Sequence, residues 1–295
     1  MSTPFLRDMA WRFVAGESQE EGLGVIRKLN EKGIRGSLNF IGTHVRAEQE
    51  AIRAADCAIA NLGRIHEQHL ECHLSLKLTQ IGLDLDQGLC RHQLGRVLAS
   101  ARALGNFVRI DMEESAYTEA TLRLFEEAHE AHPDSVGIVL QSYLRRNPAD
   151  LERMIARGAG IRLVKGGYWE SGQVAYRGKA EVDAAFMRDL ENLILHGKAP
   201  AVATHDPAAI ERAITVAEAA GLGKEAMEFQ MLYGVREDLL QALVLRGFRA
   251  RSYVPYGDHW YEYVLGCLRR DPGRAFRSRR PRTPETPDSV AKLSL

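Results

Sequence analysis

Eight short apolar runs recur along this chain of 295 residues, and each is separated from the next by a stretch long enough for a helix. The runs lie near residues 36–40, 72–78, 106–111, 136–141, 161–165, 200–204, 227–230 and 250–254. Consecutive strands that pair in parallel need a crossover helix, so this alternation predicts a parallel sheet. Eight such units close into a (β/α)₈ barrel, whose active site lies at the carboxyl ends of the strands.

The same pattern divides the chain into three predicted parts. Residues 1–35 form a helical lead-in, residues 36–276 form the barrel, and residues 277–295, rich in proline and charge, form a disordered tail. A composition of 45% hydrophobic and 26% charged residues suits one large core. We therefore expect a single-domain α/β barrel of the TIM type, with extra amino-terminal helices and a carboxyl-terminal helix.

The charge balance argues against a nucleic-acid function. Lys+Arg and Asp+Glu each number 39, so no net field attracts nucleic acid or an anionic membrane. No apolar run approaches the ~20 residues of a membrane span, and the first residues lack the apolar core of a signal peptide. We expect a cytoplasmic protein, with peripheral membrane contact left open. The spacing of Cys57, Cys72, Cys90 and Cys267 favours reduced thiols.

Polar and ionisable side chains recur where the predicted strands end. These residues are Lys77, Asp111, Gln141, Arg162, Lys165, Thr204, His205, Asp206 and Gln230. One such charge could be a structural ion pair, but the carboxyl ends of barrel strands meet at one mouth. Several unpaired charges converging there would be costly without a ligand, so the pattern favours an active site.

Two further patterns bear on cofactors. The pair Gly166–Gly167 fits either an ordinary tight turn or close backbone approach to a cofactor, and no GxGxxG follows a predicted strand, which argues against a Rossmann site. A second group has metal-like spacing and comprises His66, His69, Cys72 and His73. The last two begin a strand, so the four do not share a helical face. We therefore expect a surface cluster at the amino side of the barrel and no metal site.

Seven segments, in order, resemble the proline dehydrogenase family of flavin-dependent barrel enzymes, in particular its monofunctional bacterial form. They are LSLKLTQIGLDL, FVRIDMEES, VGIVLQSYL, IRLVKGGYWES, VATHDP, FQMLYGVR and YVPYGDHWYEY. The resemblance extends over most of the chain ahead of the tail. The series RLVKG, ATHD and FQxLYG is not a generic barrel pattern, which makes the resemblance specific.

The resemblance implies FAD bound at the carboxyl ends of the strands, a small amine substrate, and a quinone or oxygen as electron acceptor. By motif, Asp111 and Arg162 match the catalytic pair of the family. The positions that match its FAD contacts are Met112, Gln141, Lys165, Gly166, Gly167, Thr204 and His205. The positions that match its proline pocket are Lys77, Leu232, Tyr253 and Tyr263.

The last helix departs from the family pattern. Two arginines of the family grip the proline carboxylate, and here Gly266 and Cys267 stand in their place. The family's glutamate that pairs with one arginine is replaced by Thr43. Losing a forked guanidinium clamp removes charge-assisted bonds of roughly 1.5–3 kcal/mol each. Whether Arg269 or Arg270 reaches back to replace the clamp stays open, and Cys267 is expected to be a pocket wall rather than a nucleophile.

Three hypotheses follow. The leading one is an FAD-dependent dehydrogenase that oxidises a C–N bond by hydride transfer to flavin N5. It gives an imine from a proline-like, modified or carrier-attached amine. The second is an ordinary L-proline dehydrogenase that forms 1-pyrroline-5-carboxylate. The third is a catalytically silent barrel with a binding role, against which the retained Asp111, Arg162 and Lys165 argue.

Overall fold

The strands of the computed structural model form a closed parallel barrel in chain order, with the last strand beside the first. The structure describes residues 10–42 and 45–270, the last four by their backbone alone. The strands are β1 (Arg35–Phe40), β2 (Cys72–Leu76), β3 (Val108–Ile110), β4 (Val136–Gln141), β5 (Gly160–Val164), β6 (Ala201–Ala203), β7 (Glu228–Leu232) and β8 (Arg249–Tyr256). The predicted (β/α)₈ architecture is confirmed.

Helices cover the outside of the barrel, because each crossover returns the chain to the same end of the sheet. They are α1 (Gln19–Asn30), α2 (Glu48–Glu67), α3 (Gln87–Ala103), α4 (Ser115–Ala131), α5 (Asn147–Ala156), α6 (Lys179–His196), α7 (Pro207–Ala219), α8 (Glu237–Leu245) and α9 (Trp260–Arg270). Short 3₁₀ turns span Leu78–Ile81 and Lys224–Ala226. The predicted tail lies outside the described residues.

Helix α1 precedes β1 and packs over the seam where the barrel closes. Its first turn is fixed by a capping box, in which Glu21 N–H donates to Ser18 Oγ and Ser18 N–H donates to the Glu21 carboxylate. Ile26 of α1 lies so close to Gly36 that any side chain at Gly36 would overlap it. The helix therefore rests directly on β1. The seam itself continues beyond the strands, since Ile41 N–H donates to Tyr256 O over 2.7 Å.

The strands are less uniformly apolar than the sequence suggested. Their outward positions, such as Val108 and Ile110, are apolar and pack beneath the helices, as expected. Several inward positions of β2, β3, β7 and β8 are polar instead, namely His73, Ser75, Arg109, Glu228 and Arg251. These side chains bond to one another or to strand carbonyls, which makes their burial tolerable.

No helix within residues 10–42 and 45–270 combines the length and apolar character needed to cross a bilayer. The cytoplasmic location stays a prediction.

Gly234 and Gly95 form a matched pair for testing how the amino-terminal segment is held. Gly234 follows β7 with φ of +74°, and a side chain there would overlap the carbonyl oxygen of Arg12. Gly234→Ala should therefore lower the free energy of unfolding by at least about 2 kcal/mol. Gly95 lies in α3 with open space around it, so Gly95→Ala should raise that free energy by about 0.5–1 kcal/mol. Urea unfolding measures both, and an unchanged Gly234→Ala protein would contradict this packing.

Candidate active site

A carboxylate, a guanidinium and a phenol meet inside the carboxyl-end mouth of the barrel. Asp111 directly follows β3, Arg162 lies in β5 and Tyr253 lies in β8. Arg162 Nη1 donates to Asp111 Oδ1 over 2.8 Å, and the Tyr253 hydroxyl donates to Asp111 Oδ2 over 2.8 Å. One carboxylate thus holds partners from two strands that are not adjacent in the barrel. The catalytic pair that the sequence predicts is brought into direct contact.

The Arg162 guanidinium is held along its whole edge and is only 5% exposed. Its Nε donates to Gln230 Oε1 over 2.6 Å, and its Nη atoms donate to the hydroxyls of Ser37 and Ser75 at 3.1 and 3.2 Å. The cation also lies 5.4 Å from the centre of the Tyr253 ring. A guanidinium with this many fixed partners presents its charge in one orientation.

Tyr253 is a neutral hydrogen-bond donor at this site. Burial, followed by the nearby charge of Asp111, raises the pKa of Tyr253 well above its ordinary value of 10. The phenol therefore keeps its proton at any physiological pH, and it can orient the Asp111 carboxylate without competing with it for charge.

Lys77 supplies a second cation at the mouth, at the end of β2. Its side chain is half-buried and forms no hydrogen bond or ion pair with any residue that the structure describes. Nearby Glu113 accepts from Thr79 N–H and Oγ1 at 3.3 and 2.7 Å. Burial raises the pKa of Glu113, while the charge of Lys77 acts in the opposite direction. Lys77 thus remains available to an anionic or electron-rich ligand.

A second group of polar residues lies at the adjacent ends of β5 and β6. Lys165 Nζ donates to Asp183 and Asp206 at 2.6 and 2.9 Å. Burial alone would lower the pKa of Lys165, but these two carboxylates raise it, so the ammonium stays charged. Asp206 N–H in turn donates to Thr204 Oγ1 over 3.2 Å. His205 accepts from the Leu232 N–H through Nε2 over 3.0 Å, which leaves the ring proton on Nδ1.

Gly166 adopts the tight turn that is one of the two interpretations of the glycine pair, while the approach of a cofactor stays a prediction. Its φ of +103° is a conformation that side chains rarely adopt, and a Cβ there would overlap the Tyr143 ring. The turn therefore requires glycine for backbone and packing reasons. Gly167, which follows it, is half-buried at the same rim. The tight turn is thus present, and it leaves the backbone beside Lys165 accessible at the mouth.

The remaining predicted residues divide into buried and rim positions. Gln141 is buried and its Nε2 donates to Glu113 O over 2.8 Å, whereas the Met112 side chain is buried in the main hydrophobic core. Half-buried at the mouth side are Leu232, Tyr263 and Gly266. Thr43 and the side chains of Cys267, Arg269 and Arg270 lie outside the described residues.

These residues fit the FAD that the resemblance implies. The Lys165 ammonium, the His205 Nδ1–H and the backbone of 166–167 are donors on neighbouring strand ends, which suits an anionic and hydrogen-bonding cofactor. The deeper Arg162 adds a fixed positive charge beside them. Met112 fits this role least well, because its buried side chain leaves only its backbone to contribute.

The metal-like group of four residues is divided by the barrel wall. Cys72 packs outward beside Gly36, while His73 points inward to 3.5 Å from Arg251. Only His66 and His69 neighbour each other, with ring centres 6.5 Å apart. The predicted surface cluster is therefore wrong for Cys72, which is only 4% exposed, and for His73, whose ring faces the interior of the barrel. Among the residues that the structure describes, no group of three or more His, Cys, Asp or Glu side chains could hold a metal ion.

Sequence reasoning missed the polar layer on which the site rests. Glu228 and Arg251 form a bidentate pair, with Nε–Oε1 and Nη2–Oε2 distances of 2.6 and 2.9 Å. Gln230, noted only as a strand-end residue, joins this pair to Arg162. The available signal was period-two alternation, since Glu228 and Gln230, like Arg251 and Tyr253, are two positions apart and face the same side of the wall.

Ionisable side chains that meet at the carboxyl ends of the strands are typical of (β/α)₈ barrel enzymes, and this chain has that arrangement. Residues 23–268 match the family model described as Proline dehydrogenase. A proline dehydrogenase of Deinococcus radiodurans is 36% identical over 272 residues, covering 91% of this chain and 88% of the relative. Proline dehydrogenase 2 of Bacillus subtilis is 33% identical over 266 residues, covering 90% and 88%. The chain therefore belongs to the proline dehydrogenase family, and it is an FAD-dependent oxidoreductase that acts on CH–NH donors.

The solved structures agree with this assignment. Proline utilization A from Bdellovibrio bacteriovorus, inactivated by N-propargylglycine, superposes with a TM-score of 0.83 at 27% identity. The match covers 89% of this chain and 32% of that longer chain.

The buried pair of Glu228 and Arg251 predicts a specific acid sensitivity. Burial alone would raise the pKa of Glu228, but Arg251 lowers it from 4.5 to about 2. The folded state thus favours the charged form of Glu228. The contribution of Glu228 to the free energy of unfolding is therefore complete above about pH 4.5 and is lost as the pH falls toward 2. The full difference is about 3 kcal/mol. Urea unfolding between pH 6 and pH 3 should show a steeper loss in the parent protein than in Glu228→Gln.

The matched control is Glu211→Gln, which removes an exposed carboxylate paired with Arg246. Its acid profile should follow that of the parent protein, because exposed pairs contribute little. Parallel profiles for Glu228→Gln and the parent would contradict the lowered pKa of Glu228.

Proposed function

We propose that this protein oxidises the C–N bond of a proline-type secondary amine and leaves an imine. The observation that carries the proposal is the contact of Asp111 with both Arg162 and Tyr253 inside the mouth. The relatives named proline dehydrogenase, which match about nine tenths of this chain, support the same substrate class.

Each residue of the site has a task that follows from its charge. FAD, when bound, supplies the two-electron acceptor for the hydride that leaves the substrate carbon. Arg162 and Lys165 provide fixed positive charge that stabilises negative charge as it develops. Lys77 and Arg162 also disfavour a protonated amine nearby, which keeps the substrate nitrogen neutral and its lone pair available. Asp111 and Tyr253 hold the guanidinium in place during this change.

The substrate of the leading hypothesis lacks a free carboxylate. Gly266 has no side chain to hold one, and Cys267 and Thr43 replace the other parts of the family's clamp. A pocket of this kind suits an amine whose carboxylate is masked as an ester or amide, or is attached to a carrier. Lys77 alone would give a carboxylate little geometric control, since an ammonium is a compact point charge.

Free L-proline is the second candidate, with 1-pyrroline-5-carboxylate as product. It is favoured by the curated relatives, which are named proline dehydrogenase and which this chain matches over 88% of their length. It is also favoured by the half-buried Lys77, which is available for a carboxylate contact.

Anaerobic bleaching of the bound flavin separates the candidates. If the clamp is lost, L-prolinamide or L-proline methyl ester should bleach the yellow protein at least about tenfold faster than free L-proline, because a charged carboxylate would be desolvated without a partner. Stopped-flow absorbance measures the rates, with L-alanine methyl ester as a primary-amine control. Equal or faster bleaching by L-proline supports the ordinary enzyme instead. A protein that stays colourless after added FAD contradicts both and supports the silent barrel.

Restoring the clamp tests the same hypothesis from the opposite direction. The triple variant Gly266→Arg, Cys267→Arg, Thr43→Glu should increase the rate with free L-proline by at least about tenfold, because two charge-assisted bonds to the carboxylate return. The control is the triple variant Gly266→Gln, Cys267→Gln, Thr43→Gln, which places long side chains without charge at the same positions. An increase of the same size in both variants would show that space, rather than charge, limits proline oxidation.

A further inference from the structure

The interior below the mouth contains charges that the proposed function does not use. Within the described part of the barrel, these unused charges are Arg109, Arg251 and Glu228, and they lie inside together with the pair of Arg162 and Asp111. All three guanidinium groups are at least nine-tenths buried. Buried charges are tolerated only when they are paired or hydrogen-bonded, so each charge in this layer needs a partner.

One continuous chain of hydrogen bonds joins the deepest pair to the active site. Arg251 donates twice to Glu228, Gln230 Nε2 donates to Glu228 Oε1 over 2.6 Å, and Arg162 Nε donates to Gln230 Oε1 over 2.6 Å. The Gln230 amide has only one workable orientation, because a carboxylate can only accept and a guanidinium can only donate. Glu228 therefore fixes Gln230, and Gln230 fixes the Nε end of Arg162.

The other contacts of Arg162 cannot replace this link. Its Nη atoms donate to the rotatable hydroxyls of Ser37 and Ser75 and to Asp111. Only Gln230 accepts from Nε among the hydrogen bonds that the described residues show. Since Nε sits where the guanidinium joins its alkyl chain, this bond sets the direction of the whole planar group.

Charge balance in the layer gives Glu228 a second task. Arg109 donates to the carbonyl oxygens of Gly160 and Ile138 rather than to a carboxylate. Burial first, and the nearby charge of Arg162 next, lower the pKa of Arg109 to about 9. The interior is thus already rich in positive charge. His73 adds none, because burial and Arg251 lower the pKa of its ring well below the ordinary value.

We propose that Glu228 and Gln230 are positioning residues of the active site: they anchor the Arg162 guanidinium from beneath the mouth, and the Glu228 carboxylate offsets the surplus positive charge around it. The effect on catalysis rests on the proposed function, whereas the anchoring of Arg162 does not.

Gln230→Met is the sharpest test, because it cuts the link and leaves the Glu228–Arg251 pair in place. In FAD-reconstituted protein labelled with ¹⁵N-arginine, the Nε–H of Arg162 is assigned by its absence in Arg162→Lys. Its hydrogen exchange should accelerate at least about tenfold in Gln230→Met, since the bond that protects it is gone. Amine-dependent flavin reduction should slow by about ten- to a hundredfold with little change in KM. Unchanged exchange would overturn the anchoring.

Swapping the side chains of Glu228 and Gln230 tests whether the negative charge of the Glu228 carboxylate is needed. Glu228→Gln removes the carboxylate and should slow flavin reduction, while the double variant Glu228→Gln, Gln230→Glu returns one negative charge to the layer, beside Arg162. The double variant should recover at least about half of the lost rate on a logarithmic scale. A double variant that reduces flavin no faster than Glu228→Gln would overturn the charge-balancing role. Should Glu228→Gln fail to fold, comparison of the double variant with Gln230→Met decides the point.

The readouts keep this inference separate from the proposed function. If no amine reduces the flavin even in the parent protein, the proposed function fails, and the exchange of the Arg162 Nε–H still decides the anchoring. If amines reduce the parent and Gln230→Met equally and exchange is unchanged, the positioning role alone fails. The control is Glu211→Gln, whose exposed carboxylate lies on the outer helices and should alter neither readout.

Discussion

The contact between the buried guanidinium of Arg162 and the carboxylate of Asp111 is the interaction on which the site depends. A lone cation at this depth would be expensive to bury, and the same cation paired and hydrogen-bonded on all sides becomes a fixed source of positive charge. Tyr253 orients the carboxylate from β8. The barrel makes this possible, because closing the sheet brings Arg162 of β5 and Tyr253 of β8 within hydrogen-bond distance of Asp111, which follows β3.

The predicted cofactor side of the mouth, at Lys165, and the predicted substrate side, at Lys77, differ in how their cations are held. Lys165 is fixed by two carboxylates, so its charge is preset before any ligand arrives. Lys77 has no such partner among the described residues and can respond to what binds. A preset charge suits a resident cofactor, since it costs no reorganisation, whereas a responsive one suits a substrate that must enter and leave. The predicted loss of the carboxylate clamp at Gly266 and Cys267 concerns only the predicted substrate side.

The polar lining extends the site far below the ligand-binding surface. Most small barrels fill their interior with branched apolar side chains. Here Arg251, Glu228 and Gln230 occupy inward positions and lead directly to Arg162. An apolar layer would pack as well but could not satisfy the Nε of a buried arginine. The composition of the layer is thus explained by the charge above it, and the strand interior and the active site form one electrostatic unit.

The sequence alone determined the architecture and most of the mouth, because strand and helix periodicity are local and barrel topology sends every strand end to the same face. It could also identify the family, through motifs such as RLVKG and ATHD. Only the tertiary structure decided which charges meet: that Asp111 holds Arg162 and Tyr253, that His73 faces inward while Cys72 faces out, and that Glu228 lies beneath the site. Asp111 is 51 positions from Arg162 and 142 from Tyr253, and His73 is 178 positions from Arg251. Period-two alternation shows which residues of one strand share a face of the wall. It does not show which residues of distant strands meet, because that depends on the register of the closed barrel.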